Sequence, residues 1–391
     1  MKLKDICTVF TDGDWIESRD QSDSGIRLIQ TGNIGKGIYL EKESRAKYIS
    51  ENTFNKFKCK EVFSGDILVS RLPEPIGRAC IIPKKEERMI TAVDCTICRP
   101  DETLISKEYL CYFMQSNTYY TRLLGNVTGT TRKRISRKNL GNIELDVPAK
   151  DEQMLIVERL DSLTKVIALR IKELNLLDNL IKARFVEMFG NPVLNDKSWE
   201  QKSLGEITSK IGSGATPKGG KEAYQEDGIS LIRSMNVHNG EFEYKDLAHI
   251  SDEQATKLDN VTLEENDVLL NITGASVARS CVVPSEILPA RVNQHVCIIR
   301  CKKYIIPEFL NKLLIDDNYQ SLLWNIASAG ATREAITKQQ VENLQIILPP
   351  VELQYEFMDF VHQINKSKVA VQKALDEAQL LFDSLMQEYF G

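Results

Sequence analysis

Between residues 151 and 189 apolar side chains recur at Ile156, Leu160, Leu163, Ile167, Leu174, Leu177, Ile181 and Met188, and no Gly or Pro interrupts them. Arg170 and Arg184 fill the two positions that complete an alternating four–three spacing. The segment therefore reads as one long helix with a heptad seam. The pattern returns at Phe357, Val361, Ile364, Val371, Leu375, Ala378, Phe382, Leu385 and Tyr389, with Lys368 completing the spacing. Pro148 with Asp151, and Pro349 with Glu352, put proline and acid at the two helix starts, where the free N–H groups and the helix dipole favour them. Gly190 and Gly391 supply the helix ends. At 1.5 Å per residue each helix can reach ~58 Å.

Ahead of each helix the texture differs. Ile26–Gln30, Asp66–Ser70, Ala79–Ile82, Asp94–Arg99 and Asn142–Val147 are short apolar or β-branched runs bounded by Gly, Pro, Asn or Asp, and they predict strands. Ser106–Asn117 and Tyr119–Leu124 predict helices, with Leu110, Phe113 and Met114 on one face. The same order recurs over 202–350. The fold class expected is α+β, with a mixed sheet in each half.

A shift of 201 residues superimposes the two halves. Leu3 and Ile6 fall on Leu204 and Ile207, Asp66 and Leu68 on Asp267 and Leu269, and Arg99 on Arg300. Ile76–Pro83 falls on Val277–Pro284, Gly129–Ile135 on Gly330–Ile336, and Gln153, Phe189 and Gly190 on Gln354, Phe390 and Gly391. Gly25–Ile29 matches Gly228–Ile232 at a shift of 203, a two-residue insertion in a loop. A repeat this long is a domain, since solenoid units run to about 20–45 residues. The chain thus divides into globular domains at 1–150 and 202–350, helices at 151–190 and 351–391, and a linker at 191–201. A long seam rarely serves one small domain alone, so the helices are expected to pair. The pairing would use Leu160, Leu163, Ile167, Leu174 and Ile181 on one helix and Val361, Ile364, Val371, Leu375 and Phe382 on the other. A pseudo-twofold axis would make them an antiparallel coiled coil that separates the two repeated globular domains. A tandem pair of this kind suits a partner with its own near-twofold symmetry, such as duplex DNA.

Net charge is −5, which by itself disfavours a nucleic-acid partner, but the distribution is uneven. Residues 1–150 carry 25 Lys+Arg against 20 Asp+Glu, a net of +5. Residues 202–351 carry 15 against 19, a net of −4, so the second half must concentrate positive charge locally. Nine scattered cysteines suggest a reducing compartment, and no run suits a membrane span or a signal peptide; the cytoplasm is expected. Cys95 and Cys98 lack a matching pair, and their counterparts are Val296 and Ile299, so strand burial is favoured over zinc. His238, His249, His295 and His362 show no ligand spacing. Gly212–Lys221 falls short of a phosphate loop, because Lys221 is followed by Glu222. The one Pro-Pro, in Leu348–Val351, is a helix entrance and not the Asn/Asp-Pro-Pro-Tyr/Phe loop of an adenine methyltransferase.

The doubled order of these features resembles the specificity subunits of type I restriction–modification systems, over the whole chain. The residues that carry it are Gly65-Asp66-Ile67-Leu68 and Asn266-Asp267-Val268-Leu269, Gly129–Arg132 and Gly330–Arg333, and Ile135-Ser136 and Ile336-Thr337. Ile143–Pro148 with Gln153, Leu344–Pro350 with Gln354, and the closing Phe-Gly before Trp199 and Leu204–Ile207 complete the set. The resemblance implies two target-recognition domains, each reading one half of a split site in double-stranded DNA, with the helices fixing the gap. It implies two methyltransferase subunits docked on the helices, a translocase–nuclease subunit, no membrane, and no catalysis or cofactor in this chain. S-adenosylmethionine would be bound by the methyltransferase. The competing readings are an enzyme with an unrecognised nuclease or methyltransferase site, and a scaffold that binds no DNA.

For DNA contact the basic loop Thr131, Arg132, Lys133 and Arg134, with Arg137 and Lys138, stands first: Lys and Arg neutralise phosphates while Thr and backbone N–H groups set register. In the second copy Thr332 and Arg333 persist, but Glu334 and Ala335 replace two cations. Lys218 and Lys221 in the glycine-rich loop, Arg71, and Arg27, Gln30 and Lys36 beside Gly32 are further candidates. Arg78 with Arg279, and Arg99 with Arg300, recur in both copies and are assigned to folding, because base readers should differ when half-sites differ.

Overall fold

The computed structural model describes residues 1–129, 133–216, 220–329 and 334–391, leaving aside the side chains of 221 and 223. Two compact units emerge: Met1–Lys172 with Gln372–Gly391, and Glu173–Val371. Each long helix is therefore shared, its residues divided between the two units.

In the first unit the strands are β1 (Cys7–Asp12), β2 (Ile26–Ile29), β3 (Tyr48–Ile49), β4 (Glu61–Val62), β5 (Ile67–Ser70), β6 (Ala79–Ile81), β7 (Met89–Thr91) and β8 (Cys95–Pro100). The helices are α1 (Glu51–Phe57), α2 (Lys107–Phe113), α3 (Asn117–Leu124), α4 (Arg137–Gly141) and the start of α5 (Lys150–Phe189). One sheet runs β1-β8-β5-β6, all antiparallel; the other runs β3-β2-β7-β4, with β2 and β7 parallel. Ser50, Ser106, Ser116 and Ser136 each cap the helix that follows through the side-chain oxygen. The expected strand over Asn142–Val147 does not form. Its partner is Met1-Lys2, and only one bridge, Lys2 to Glu144, is made.

The second unit repeats the plan with β9 (Gln201–Ser203), α6 (Leu204–Ile207), β10 (Thr208–Ser213), β11 (Ile229–Ile232), β12 (Val237–His238), β13 (Glu241–Phe242), β14 (Ala248–Ile250), α7 (Asp252–Thr256), β15 (Val268–Asn271), β16 (Ser280–Val282), β17 (Ala290–Val292), β18 (Val296–Cys301), α8 (Pro307–Leu314), α9 (Asp317–Ser328), α10 (Lys338–Glu342), β19 (Gln345–Ile347) and the start of α11 (Val351–Phe390). Sheet β10-β18-β15-β16 matches β1-β8-β5-β6 strand for strand, and β14-β11-β17 keeps the parallel β11/β17 pair. Here the segment before the helix does form a strand, because β9 offers three residues to β19.

On α5 Ile156, Leu160 and Ile181 are buried, and Leu163, Ile167, Leu174 and Leu177 half-buried. On α11 Val361 and Val371 are buried, and Ile364, Leu375, Phe382 and Leu385 half-buried. In the second unit Asp178 pairs with Lys368 and Arg184 with Glu356, so these helix halves run antiparallel. In the first unit Ile156 and Leu160 share a core with Met386, Phe390, Tyr109 and Phe113. Gly190, at φ +74°, closes α5 in the left-handed conformation that glycine adopts freely. The segment read as a linker is tied back at Trp199, whose indole N–H donates to the Phe189 carbonyl at 3.0 Å.

Two duplicated clamps explain the recurring polar residues. Gln153 is wholly buried: its Oε1 accepts from the Ser106 N–H at 2.9 Å, and its Nε2 donates to the carbonyls of Leu104 (3.0 Å) and Pro148 (2.9 Å). Gln354 does the same for Ile306, Tyr304 and Pro349. Asp66 receives Arg99 in a two-pronged bond at 2.7 and 2.8 Å and caps the Phe63 N–H; Asp267 receives Arg300 at 2.8 and 2.8 Å and caps Glu264. The assignment of Arg99 and Arg300 to folding thus holds. Asp267→Ala is expected to cost about 3 kcal/mol, the low end for breaking a buried pair because Arg300 keeps some access to water. Calorimetry should show the transition of that unit lowered by about 6–12 °C. An unchanged trace would show that the pair is dispensable.

Candidate nucleic-acid interface

The polar rim of the first unit is built where β1, β5 and the turn into β8 end together. Asp12, the last residue of β1, accepts from Thr96 Oγ1 at 2.9 Å and pairs with Arg71 at 3.2 Å and Arg137 at 3.9 Å. Arg71 leaves the end of β5 and turns inward. It is 4% exposed and donates to the carbonyls of Val93 (2.5 Å) and Ile135 (3.4 Å). Burial pulls its guanidinium below the ordinary value, and Asp12 partly offsets that. Arg71 is therefore a strut that ties Ile135 to the sheet, and its proposed DNA contact is withdrawn.

Thr128 and Arg134 exchange backbone hydrogen bonds at 3.0 and 2.9 Å. Arg134 pairs with Asp94 at 2.9 Å and stays half open to water. Lys133 and Lys138 are exposed, with no ion pair among the described residues. Thr131 and Arg132 lie outside the described residues, as do Lys218 and Arg333; Lys221 does so for its side chain. Lys36 is exposed but lines a different concavity, with Gln115, Ser116 and the last turns of α11, and stands 5.6 Å from the Tyr120 ring. Arg27 is 2% exposed, bonded to the Lys47 carbonyl and stacked 5.4 Å from Tyr48, so it too is structural. Of the candidates described, the rim keeps Lys133, Arg134 and Lys138.

The equivalent rim of the second unit has different chemistry. Asp12, Arg71, Asp94 and Arg134 become Ser213, Ile272, His295 and Ala335, so the charge network is gone. Thr273 Oγ1 now bonds His295 Nδ1 at 2.5 Å, and His295 is steadied by Asn293 and Gln294. Ser234, Met235, Thr273 to Ser276, Arg279 and His295 line an open concavity there. Sequence reasoning left the role of His295 open; its one signal is the loss of an Asp–Arg pair at matched positions.

The hydrogen bonds that Arg78 makes are not repeated by Arg279 among the described residues. Arg78 Nε donates to Ile34 O at 2.5 Å, Nη2 to Thr31 O at 2.8 Å, and Nη1 to Pro75 O at 3.0 Å. Among the described residues the Arg279 side chain makes no such bond. Cys95 and Cys98 are wholly buried on β8, where burial pushes the Cys95 thiol up to about 12, in keeping with the strand reading.

A duplicated α+β domain, invariant in its clamps and divergent on its rim, with a 40-residue helix after each copy, defines a tandem recognition scaffold. The model of the type I restriction modification DNA specificity domain matches residues 1–179 and again 196–378, and the chain belongs to that family. The family is the DNA-specificity component, a non-catalytic part of its complexes. The type I restriction enzyme EcoBI specificity subunit of Escherichia coli is 24% identical over 297 residues, covering 69% of this chain and 61% of that subunit. The MjaIX specificity subunit of Methanocaldococcus jannaschii is 25% identical over 311 residues, covering 73% of this chain and 68% of its own. Among solved structures, a chain from a study of complex assembly in the type I R-M system matches all of this chain and 96% of its own at TM-score 0.64 and 18% identity. The type I S subunit from M. genitalium matches with TM-score 0.53 and 15% identity, over 100% and 95%. At these identities the structural likeness is one of fold. No helix among the described residues is long and apolar enough to cross a membrane.

Proposed function

We propose that this chain is the specificity subunit of a type I restriction–modification enzyme, each globular domain reading one half of a split DNA site. The observation that carries it is the DNA specificity domain matched twice, once in each half of the chain. Lys133 and Lys138 supply free cations for phosphates on the first rim, and the second rim offers hydrogen-bonding groups with no such network of ion pairs. The helix pair acts as the spacer between readers and as the dock for two methyltransferase subunits, which bring S-adenosylmethionine; a translocase–nuclease subunit joins for restriction. Support for docking is the pair of exposed apolar residues Leu176 and Leu180 on α5 in the second unit. The work is done in the cytoplasm, beside the genome.

The test is a methylation map of the genome with and without this chain. One split motif is expected to vanish on deletion and return on complementation. A map that does not change would refute the reading.

A further inference from the structure

We infer that Arg279 is a DNA-reading residue of the second domain, released for that work by Asn271. The inference rests on the proposed DNA-specificity function and adds the residue and the device.

In the first copy Arg78 is consumed by the fold. Its guanidinium satisfies the carbonyls of Thr31, Ile34 and Pro75, and it is 9% exposed. The equivalent groups of the second copy belong to Ser234, Val237 and Ser276. There a different side chain serves the first two. Asn271 Nδ2 donates to Ser234 O at 2.8 Å, reaches Val237 O at 3.5 Å and bonds Ser276 Oγ at 3.2 Å. Asn271 stands where the first copy has Ser70, whose hydroxyl is too short for this span and bonds Leu72 O instead. The buried amide thus takes over two of the three anchor points, the carbonyls of Ser234 and Val237, and Arg279 is left half-buried with no partner among the described residues, lining the concavity with His295 and Thr273.

An arginine on this rim whose donors meet no partner among the described residues suits a pair of acceptors: the O6/N7 edge of guanine, or a phosphate. It also gives an acidic domain, net −4 over residues 202–351, a local cation at its rim. His295, oriented through Nδ1 by Thr273, lines the same concavity.

The experiment uses the full chain assembled with its methyltransferase subunits, on a duplex carrying the split motif mapped in cells that make the unaltered chain. Arg279→Ala is expected to leave Tm within about 2 °C, as for a surface change. Methylation of the motif should fall about tenfold to a hundredfold. A loss confined to one base of one half-site marks a guanine contact. A uniform loss, with a salt slope lower by about one, marks a phosphate. Arg78→Ala, in contrast, should lower Tm. Asn271→Ser should let Arg279 fall back onto the vacated carbonyls, lowering methylation while the fold is kept. Unchanged methylation by Arg279→Ala overturns the inference, as does a Tm loss equal to that of Arg78→Ala. If deleting the whole chain leaves every motif in place, the proposed function falls with it.

Discussion

Replacing residues 1–148 with the corresponding segment of another family member is expected to rewrite one half of the recognised motif and leave the other unchanged. The joint tolerates the exchange for a physical reason. Gln153, the residue that ties α5 to its domain, directs its hydrogen bonds to backbone groups: one N–H and the carbonyls of Leu104 and Pro148. Any incoming domain with the same backbone path satisfies them, whatever its side chains. Each unit also holds hydrophobic clusters drawn wholly from its own residues, so the second domain keeps its packing. The packing demand falls on Tyr109 and Phe113, which meet Phe390 at 5.2 and 6.2 Å; the incoming segment should keep aromatic residues there. Methylation mapping reads the result. If both halves of the motif change, the two domains do not read independently.

Phe189→Ala is expected to be the most destabilising single truncation, at about 4 kcal/mol. Phe189 is wholly buried, and its ring lies 5.3 Å from Phe185, 4.9 Å from Phe309 and 5.4 Å from Phe357. These rings come from the end of α5, from α8 and from the start of α11, so one side chain joins the two helices to the domain. Collapse around the vacancy is hindered because three of the neighbours are rigid rings. The loss should appear as a lowered transition for the second unit, by about 8–16 °C. A shift of only a degree or two would mean that the site closes over the gap. Phe390, its counterpart, is 7% exposed and packs on Tyr109 and Phe113, so Phe390→Ala should cost somewhat less.

Much of the architecture was legible along the chain because it depends on patterns that repeat. A four–three spacing over forty residues leaves a helix few alternatives, and burial along α5 and α11 follows it nearly position by position. Recurrence at a shift of 201 pointed to Asp66 with Arg99 and to Asp267 with Arg300, and both pairs proved to be the same buried clamp. Gln153 and Gln354 recurred too, but a glutamine in a helix gives no sign of which backbone groups it will meet.

What the chain alone could not decide is where each cation spends its charge. Arg71, Lys133 and Arg134 are alike in sequence as candidates for DNA. Only the packing of Val93 and Ile135 around the end of β5 buries Arg71, while Lys133 stays in water. Arg78 and Arg279 occupy the same position and were assigned the same role. Their fates part because a residue eight positions earlier changes from Ser70 to Asn271, and a longer amide can reach carbonyls that a hydroxyl cannot. Local pattern sets helices, strands and repeats, since those depend on neighbours in sequence. The availability of a polar side chain depends on which acceptors the folded chain brings within about 3 Å of it, and that is settled in three dimensions.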